Sequence, residues 1–237
     1  MFFKAIVPLV AALSLLSQPA SAEMKLVPVG GVAHFAPVDS GNVHPERYTG
    51  KILFLGDSTM AAYAYPTKQR PSYLVAKSLK VGVDNLGEGG TGTENMVATL
   101  REVLAKSDAT YVVENFALND RGVIDREQYA KNLKTFVSDV RSAGKIAILE
   151  EPNPICRSKE ESDSLDEYVV TLRAVAKETG APLIAQYDKL RAVDGWQKIM
   201  MDCLHPAQAL YKIKADNEIH ALRGIMAKHK GELSSHR

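Results

Sequence analysis

Lys51-Ile52-Leu53-Phe54-Leu55-Gly56-Asp57-Ser58-Thr59 is the stretch on which the fold of this chain turns. Ile52 to Leu55 is a short apolar run, of the kind found in a central parallel strand covered on both faces. It stops at once on small and polar residues. In open α/β sheets, ligand and catalytic groups gather at the carboxyl ends of strands. Ser58 is therefore a candidate nucleophile, although Gly-Asp-Ser is also an ordinary turn tripeptide. A nucleophilic serine needs a base, an orienting carboxylate and oxyanion donors, and the rest of the chain must supply them.

Downstream, the hydrophobic period alternates between strand and helix. Strands are expected at residues 80–86, 110–116, 145–149 and 182–187. Helices are expected at Pro71–Leu79, 94–106, 126–143, Lys159–Thr179 and 207–228. Pro71 suits a first helical turn, and Gly144 and Gly180 suit helix ends. With the opening strand this makes five strands alternating with helices over short connections. That pattern predicts an α/β fold, a three-layer α/β/α sandwich on a parallel sheet. Residues 23–50 show no lasting periodicity and read as an extended N-terminal segment. The domain itself is expected at 51–230, with 231–237 as a tail.

Residues 1–22 stand apart. Lys4, an apolar run from Ala5 to Leu16 and the Ala20-Ser21-Ala22 pattern read as a cleaved signal peptide. The run is too short to span a bilayer as a helix. The chain is therefore expected to be exported, to a periplasm or outside the cell, with no membrane span after cleavage. Its 237 residues carry 29 Lys and Arg against 28 Asp and Glu, and Lys4 is the only charged residue in the signal. The mature chain is thus formally neutral, without the basic footprint of a nucleic-acid binder. Cys156 and Cys203 are the two cysteines; an even count in an exported protein favours a disulfide over two buried thiols. Their spacing makes no zinc site, and no metal or cofactor is implied.

Four polar clusters fall at strand ends or in loops on one side of the expected sheet: Gly56-Asp57-Ser58, the loop 87–92, Ala117-Leu118-Asn119-Asp120 and Asp202-Cys203-Leu204-His205-Pro206. His205 is the candidate base, and Asp202, three residues earlier, the candidate carboxylate that orients it. The Ser58 and Gly90 amides and the Asn119 side chain are candidate oxyanion donors. The glycine-rich loop lacks the endings of a P-loop or a dinucleotide fingerprint. Tyr63, Tyr65 and Arg70 lie on a proline-bounded loop close to Ser58; they either line a substrate pocket or pack at its rim. Asp57 is expected to hold its turn and Asp120 its own loop. Glu114, Glu150 and Glu151 are expected to be buried or capping rather than an acid pair. His220, His229 and His236 are expected in solvent.

These four blocks, in this order, resemble the SGNH/GDSL hydrolase family. Its signature residues map onto Ser58, Gly90, Asn119 and His205, and the resemblance covers residues 52–206. It implies a flavodoxin-like five-stranded parallel sheet and serine-dependent hydrolysis of an ester substrate. The third block departs from the family pattern, with Ala117 where glycine is usual; this raises the possibility of a shifted Asn119 loop. Cys203 inside the last block is unusual, and a bridge to Cys156 would pin the Asp202–His205 segment. The family spans carbohydrate O-acetylesterases, lysophospholipases and thioesterases, so substrate stays open between a small acyl ester and a lipid or thioester. A catalytically silent glycan- or partner-binding member is the reading from a different class.

Overall fold

The computed structural model describes residues 33–35, 48 and 50–235, with residues 33–35 and 232–234 described by backbone alone. The expected signal peptide and most of the segment 23–50 lie outside the described residues, as does His236.

Among the described residues, six strands form one sheet in the order β1 (Ala33–Phe35), β3 (Gly82–Asn85), β2 (Lys51–Gly56), β4 (Tyr111–Asn115), β5 (Ile146–Glu150) and β6 (Leu183–Ile184). The five strands from β2 to β6 run parallel, while β1 pairs antiparallel with β3 at the edge. The segment 23–50 thus contributes one short strand, which its lack of periodicity concealed.

The apolar run of β2 is buried on both faces, and its side chains alternate between two cores. Leu53 and Leu55 point to the side covered by α3 (Thr93–Lys106), α5 (Arg126–Ser142) and α6 (Lys159–Thr179). Ile52 and Phe54 point to the side covered by α2 (Pro71–Leu79) and α8 (Gln208–Ser235). Val112 of β4 and Leu149 of β5 share the first core, Val113 and Ile148 the second. Each such fully buried side chain contributes about 1.5–3 kcal/mol relative to exposure. This is the three-layer sandwich the alternation predicts.

Local signals set the helix ends. Pro71 opens α2; Ser158 and Glu161 form a capping box on α6; Gly180 closes it in the left-handed region at φ 63°. Three features differ from expectation. Two short helices, α4 (Ala117–Asp120) and α7 (Tyr187–Arg191), occupy segments read as strand ends and loop. β6 is cut to two residues. There the Gln186 and Tyr187 amides donate to the buried Glu151 carboxylate at 2.9 and 2.8 Å instead of joining a ladder. α8 runs on through Ser235, past the expected end at Lys228.

Strand order reverses at β2: β3 lies on one side of it and β4 on the other. The carboxyl ends of β2 and β4 therefore flank the topological switch point, where open α/β sheets bind ligands. Ser58 follows β2 and Asn119 follows β4.

Candidate active site

The chain leaves β2 at Gly56 and turns directly into α1 (Ser58–Ala61). The turn is tight enough to require glycine: a methyl group on Gly56 would lie 2.5 Å from the Met60 Cβ and 2.8 Å from the Asn115 carbonyl oxygen. Asp57 caps α1, its Oδ1 accepting the Thr59 amide and hydroxyl at 2.8 Å each. Burial pushes Asp57 up to about 6, against the pull of the Thr59 hydrogen bonds, Lys214 and His205. Its expected role of holding the turn is what this geometry performs. Ser58 occupies the first helical position, where the amide has no intrahelical acceptor.

Ser58 Oγ lies 2.9 Å from His205 Nε2, and His205 Nδ1 lies 2.7 Å from Asp202 Oδ2. Asp202 Oδ1 also accepts the Leu204 and His205 amides, at 3.0 and 2.7 Å. Burial works against the charged form, but these amides and the imidazole hold Asp202 down at about 2. Asp202 is thus both a turn residue and the imidazole's partner. The three side chains form one hydrogen-bonded relay across 147 residues of sequence. In such a relay the imidazole can take the hydroxyl proton while the carboxylate fixes its tautomer.

The turn that carries His205 is bounded by a bridge between Met200 and Pro206 and closed by the Met201 amide on the His205 carbonyl at 2.8 Å. Cys156 and Cys203 are disulfide-bonded, tying this turn to the loop after β5. Beside the bridge, the Cys156 amide donates to the Cys203 carbonyl at 3.0 Å and Asn153 Nδ2 donates to the Leu204 carbonyl at 3.0 Å. Cys203 itself sits at φ 60°, a left-handed conformation unusual for a residue with a side chain.

On the other side of Ser58 lies the glycine-rich loop. A methyl group on Gly89 would reach within 3.8 Å of Ser58 Cβ, so the loop runs alongside the serine. Gly90 turns there at φ +78°. Asn119, on the one-turn helix α4, donates from Nδ2 to the Thr91 carbonyl of this loop at 2.8 Å. That bond uses one of the two amide hydrogens and leaves the other for an acceptor. Ala117 is fully buried as the first residue of α4 and takes no positive φ. The methyl group in place of the family's glycine therefore fits the turn, and Asn119 still reaches the glycine-rich loop. Asp120 holds more than its own loop: both its oxygens accept the Thr93 amide at the start of α3. Burial pushes it up to about 6 against those bonds.

The loop after α1 is occupied in packing. The Tyr63 hydroxyl donates to the Gly87 carbonyl at 3.0 Å, and the Arg70 guanidinium stands 5.0 Å over the Tyr63 ring. The Tyr65 hydroxyl contacts Met201 Sδ at 3.0 Å and the Pro206 carbonyl at 3.4 Å, while Arg70 Nε donates to the Tyr65 carbonyl at 3.0 Å. Tyr63 as a whole residue remains 56% exposed.

Beneath the relay is a buried polar cluster that the sequence reading did not assemble. Lys214 of α8 is fully buried and pairs with Glu150, at the end of β5, and with Glu218. Glu150 Oε1 also accepts from Asn115 Nδ2 at 3.0 Å and Gln186 Nε2 at 2.6 Å. Burial favours a neutral lysine, yet Glu150 and Glu218 together hold Lys214 above its ordinary range. Glu218 is pushed up to about 8 by burial despite Lys214. Glu114 is fully buried, with only the Glu150 amide, among the described residues, favouring its charged form. Its burial, with Asp120, Glu150 and Asp57 adding like charge, lifts it well above the usual carboxylate range. A signal for the lysine was present: Leu210, Lys214, Glu218 and Leu222 lie four apart on the buried stripe of α8. His229, expected in solvent, is half-buried, its Nδ1 3.0 Å from the Tyr111 hydroxyl, whereas His220 is exposed.

Among the described residues no helix is long and apolar enough to cross a membrane, and no cluster of His, Cys, Asp and Glu is placed to hold a metal ion.

A sequence model described as the GDSL-like lipase/acylhydrolase family matches residues 54–213. No curated protein sequence matches the chain significantly. Among solved structures, TesA is similar at 24% identity and a TM-score of 0.65, over 73% of this chain and 98% of that one. A lipase/acylhydrolase from Enterococcus faecalis is similar at 22% identity and a TM-score of 0.67, over 75% and 97%. Axe2, an acetylxylan esterase from Geobacillus stearothermophilus, is similar at 17% identity and a TM-score of 0.62, over 75% and 96%. At these identities the structural likenesses show the fold.

Proposed function

This chain belongs to the GDSL-like lipase/acylhydrolase family of ester-hydrolysing enzymes, and from that premise we propose that it cleaves carboxylic esters through an acyl-enzyme on Ser58. The observation that carries the reading is the relay from Ser58 Oγ through His205 to Asp202, at 2.9 and 2.7 Å. Ser58 Oγ attacks the ester carbonyl as His205 Nε2 takes its proton. Asp202 stabilises the imidazolium that forms. The oxyanion is received by the amides of Ser58 and Gly90 and by the free Asn119 amide hydrogen. His205 then protonates the leaving alcohol. Water, deprotonated by His205, attacks the acyl-enzyme and releases the acid. Donors fixed in place before the reaction would stabilise the oxyanion without reorganisation.

The substrate we propose is a small acyl ester, an acetyl group on a carbohydrate. The exposure of Tyr63, held beside the glycine-rich loop with Arg70 over its ring, supports this reading as a polar and aromatic surface for a sugar. A lipid or thioester acyl group is the competing substrate class. We further propose that the chain is exported, to a periplasm or outside the cell; a disulfide suits an oxidising compartment. The complete relay argues against a silent binding protein on the same scaffold.

Ser58→Ala is the test of the mechanism. Wild type is expected to hydrolyse p-nitrophenyl acetate and to carry a fluorophosphonate adduct on the Ser58 peptide, and the variant to do neither. Equal hydrolysis by both proteins removes Ser58 from the reaction. Activity on p-nitrophenyl octanoate with none on the acetate overturns the acetyl reading and leaves the mechanism standing.

A further inference from the structure

We propose that Tyr65 is a positioning residue for the base, a clamp that holds the His205 turn against the segment carrying the nucleophile. The proposal rests on the reading of Ser58 and His205 given above.

The His205 turn is anchored strongly from one side only. The Cys156–Cys203 bridge and the bonds from the Cys156 amide and Asn153 Nδ2 all come from the loop after β5. Ser58, however, stands at the end of β2. Among the described residues, the hydrogen bonds joining residues 57–70 to residues 200–206 are the Ser58–His205 bond itself and that of the Tyr65 hydroxyl, whose single hydrogen is shared between two acceptors. The Tyr65 hydroxyl reaches Met201 and Pro206, which flank His205 on either side in sequence. Its ring stands edge-on to Tyr211 at 5.5 Å between centroids, on the helix that follows the turn. Its carbonyl is held in turn by Arg70 Nε. Tyr65 thus spans the gap between nucleophile and base, with its hydroxyl on neither of their side chains.

Such a tie matters because the relay tolerates little play. A catalytic constellation must be held to within about 0.5 Å of productive geometry, and a displacement of about 1 Å costs on the order of a hundredfold in rate. A clamp and a pocket wall differ in what they change. A residue that lines the pocket affects substrate affinity and acyl preference. A residue that holds the base affects turnover for every ester alike.

Tyr65→Phe removes the hydroxyl and keeps the ring on Tyr211. Its kcat is expected to fall about fivefold, the rate equivalent of one hydrogen bond of about 1 kcal/mol. The same factor is expected on p-nitrophenyl acetate, butyrate and octanoate, whichever of these the wild type turns over, with KM within about twofold. The rate of Ser58 labelling by a fluorophosphonate should fall by the same factor, since that reaction also needs His205. Tyr65→Leu, which removes the ring contact as well, should lose more, and thermal melting of both variants identifies any loss that comes from unfolding. Wild-type kcat in folded Tyr65→Phe overturns the clamp, and so does a loss confined to KM or to one acyl length. Ser58→Ala run in parallel separates the two readings. If Ser58→Ala retains hydrolysis, the nucleophile assignment fails; if it is inactive while Tyr65→Phe matches wild type, the clamp alone fails.

Discussion

Replacing both cysteines, as Cys156→Ala/Cys203→Ala, releases the His205 turn from the loop after β5. The two residues are 47 apart in sequence, and closing a loop of that length removes unfolded-state entropy worth about 4 kcal/mol at 25 °C. For a chain of this size each kcal/mol moves the melting temperature by about 2–4 °C, so the variant should melt about 8–16 °C below the oxidised wild type. A second variant dissects the backbone. Cys203 sits at φ 60°, where a side chain costs about 1–2 kcal/mol and glycine almost nothing. Cys156→Ala/Cys203→Gly should therefore recover about 1 kcal/mol of the loss relative to the alanine pair. Turnover should fall in both, because Asp202 and His205 flank Cys203 and the Ser58–His205 bond depends on where that turn lies. The assay is calorimetric melting with and without reductant, alongside kcat on p-nitrophenyl acetate. A double variant that melts within about 3 °C of wild type, a loss of under roughly 2 kcal/mol, with unchanged kcat would refute the reasoning, since the bridge would then be holding nothing the enzyme uses.

Two further outcomes follow from the buried cluster. Lys214→Met leaves Glu150 and Glu218 buried without their cation, and urea denaturation should show a loss of about 3–5 kcal/mol. Adding Glu150→Gln should recover part of it, and no recovery would mean that the charge balance is not what the lysine supplies. Glu114→Gln should stabilise the protein increasingly as pH rises. A carboxyl whose folded pKa is raised binds its proton more tightly when folded. Its contribution is therefore full below the unfolded value near 4.3 and is lost as pH climbs toward the folded one. The stability gap between variant and wild type should be wider at pH 8 than at pH 5, to be measured by denaturation at both; a gap that is flat or narrows contradicts a neutral Glu114.

Much of the site was legible because its signals are local. The Ile52–Leu55 run, the stop at Gly56 and the helical period of residues 159–179 each lie within a single contiguous stretch of at most 21 residues, and each reads directly as a strand, a turn or a helix. The relay residues were legible as four blocks in order, although their meeting point was not contained in any one of them. Tyr63 and Tyr65 show where local reading ends. A loop near the serine admits both a pocket lining and a packing role, and only the positions of Gly87, Met201 and Pro206 reveal that both hydroxyls are engaged by neighbouring loops. The shortening of β6 was hidden for the same reason, since its amides are taken by Glu151, 35 and 36 residues earlier.

The α/β alternation and the place of Ser58 at a strand end are written in the sequence, which also offers His205 and Asp202 as candidate partners. Periods of 2 and 3.6 residues and the stereochemistry of turns act over short stretches of chain. The burial of Lys214 between two glutamates, 64 residues from one of them and four from the other, exists only in the folded chain. The packing of distant elements also sets the Tyr65 hydroxyl against Met201 and Pro206, 136 and 141 residues away. Whether a buried charge is satisfied, or a loop is clamped, depends on which groups the packing of distant elements brings within about 3 Å, and no local period encodes that. At Gly56-Asp57-Ser58 the two levels meet: short-range chemistry makes the turn, and long-range packing places His205 on its serine.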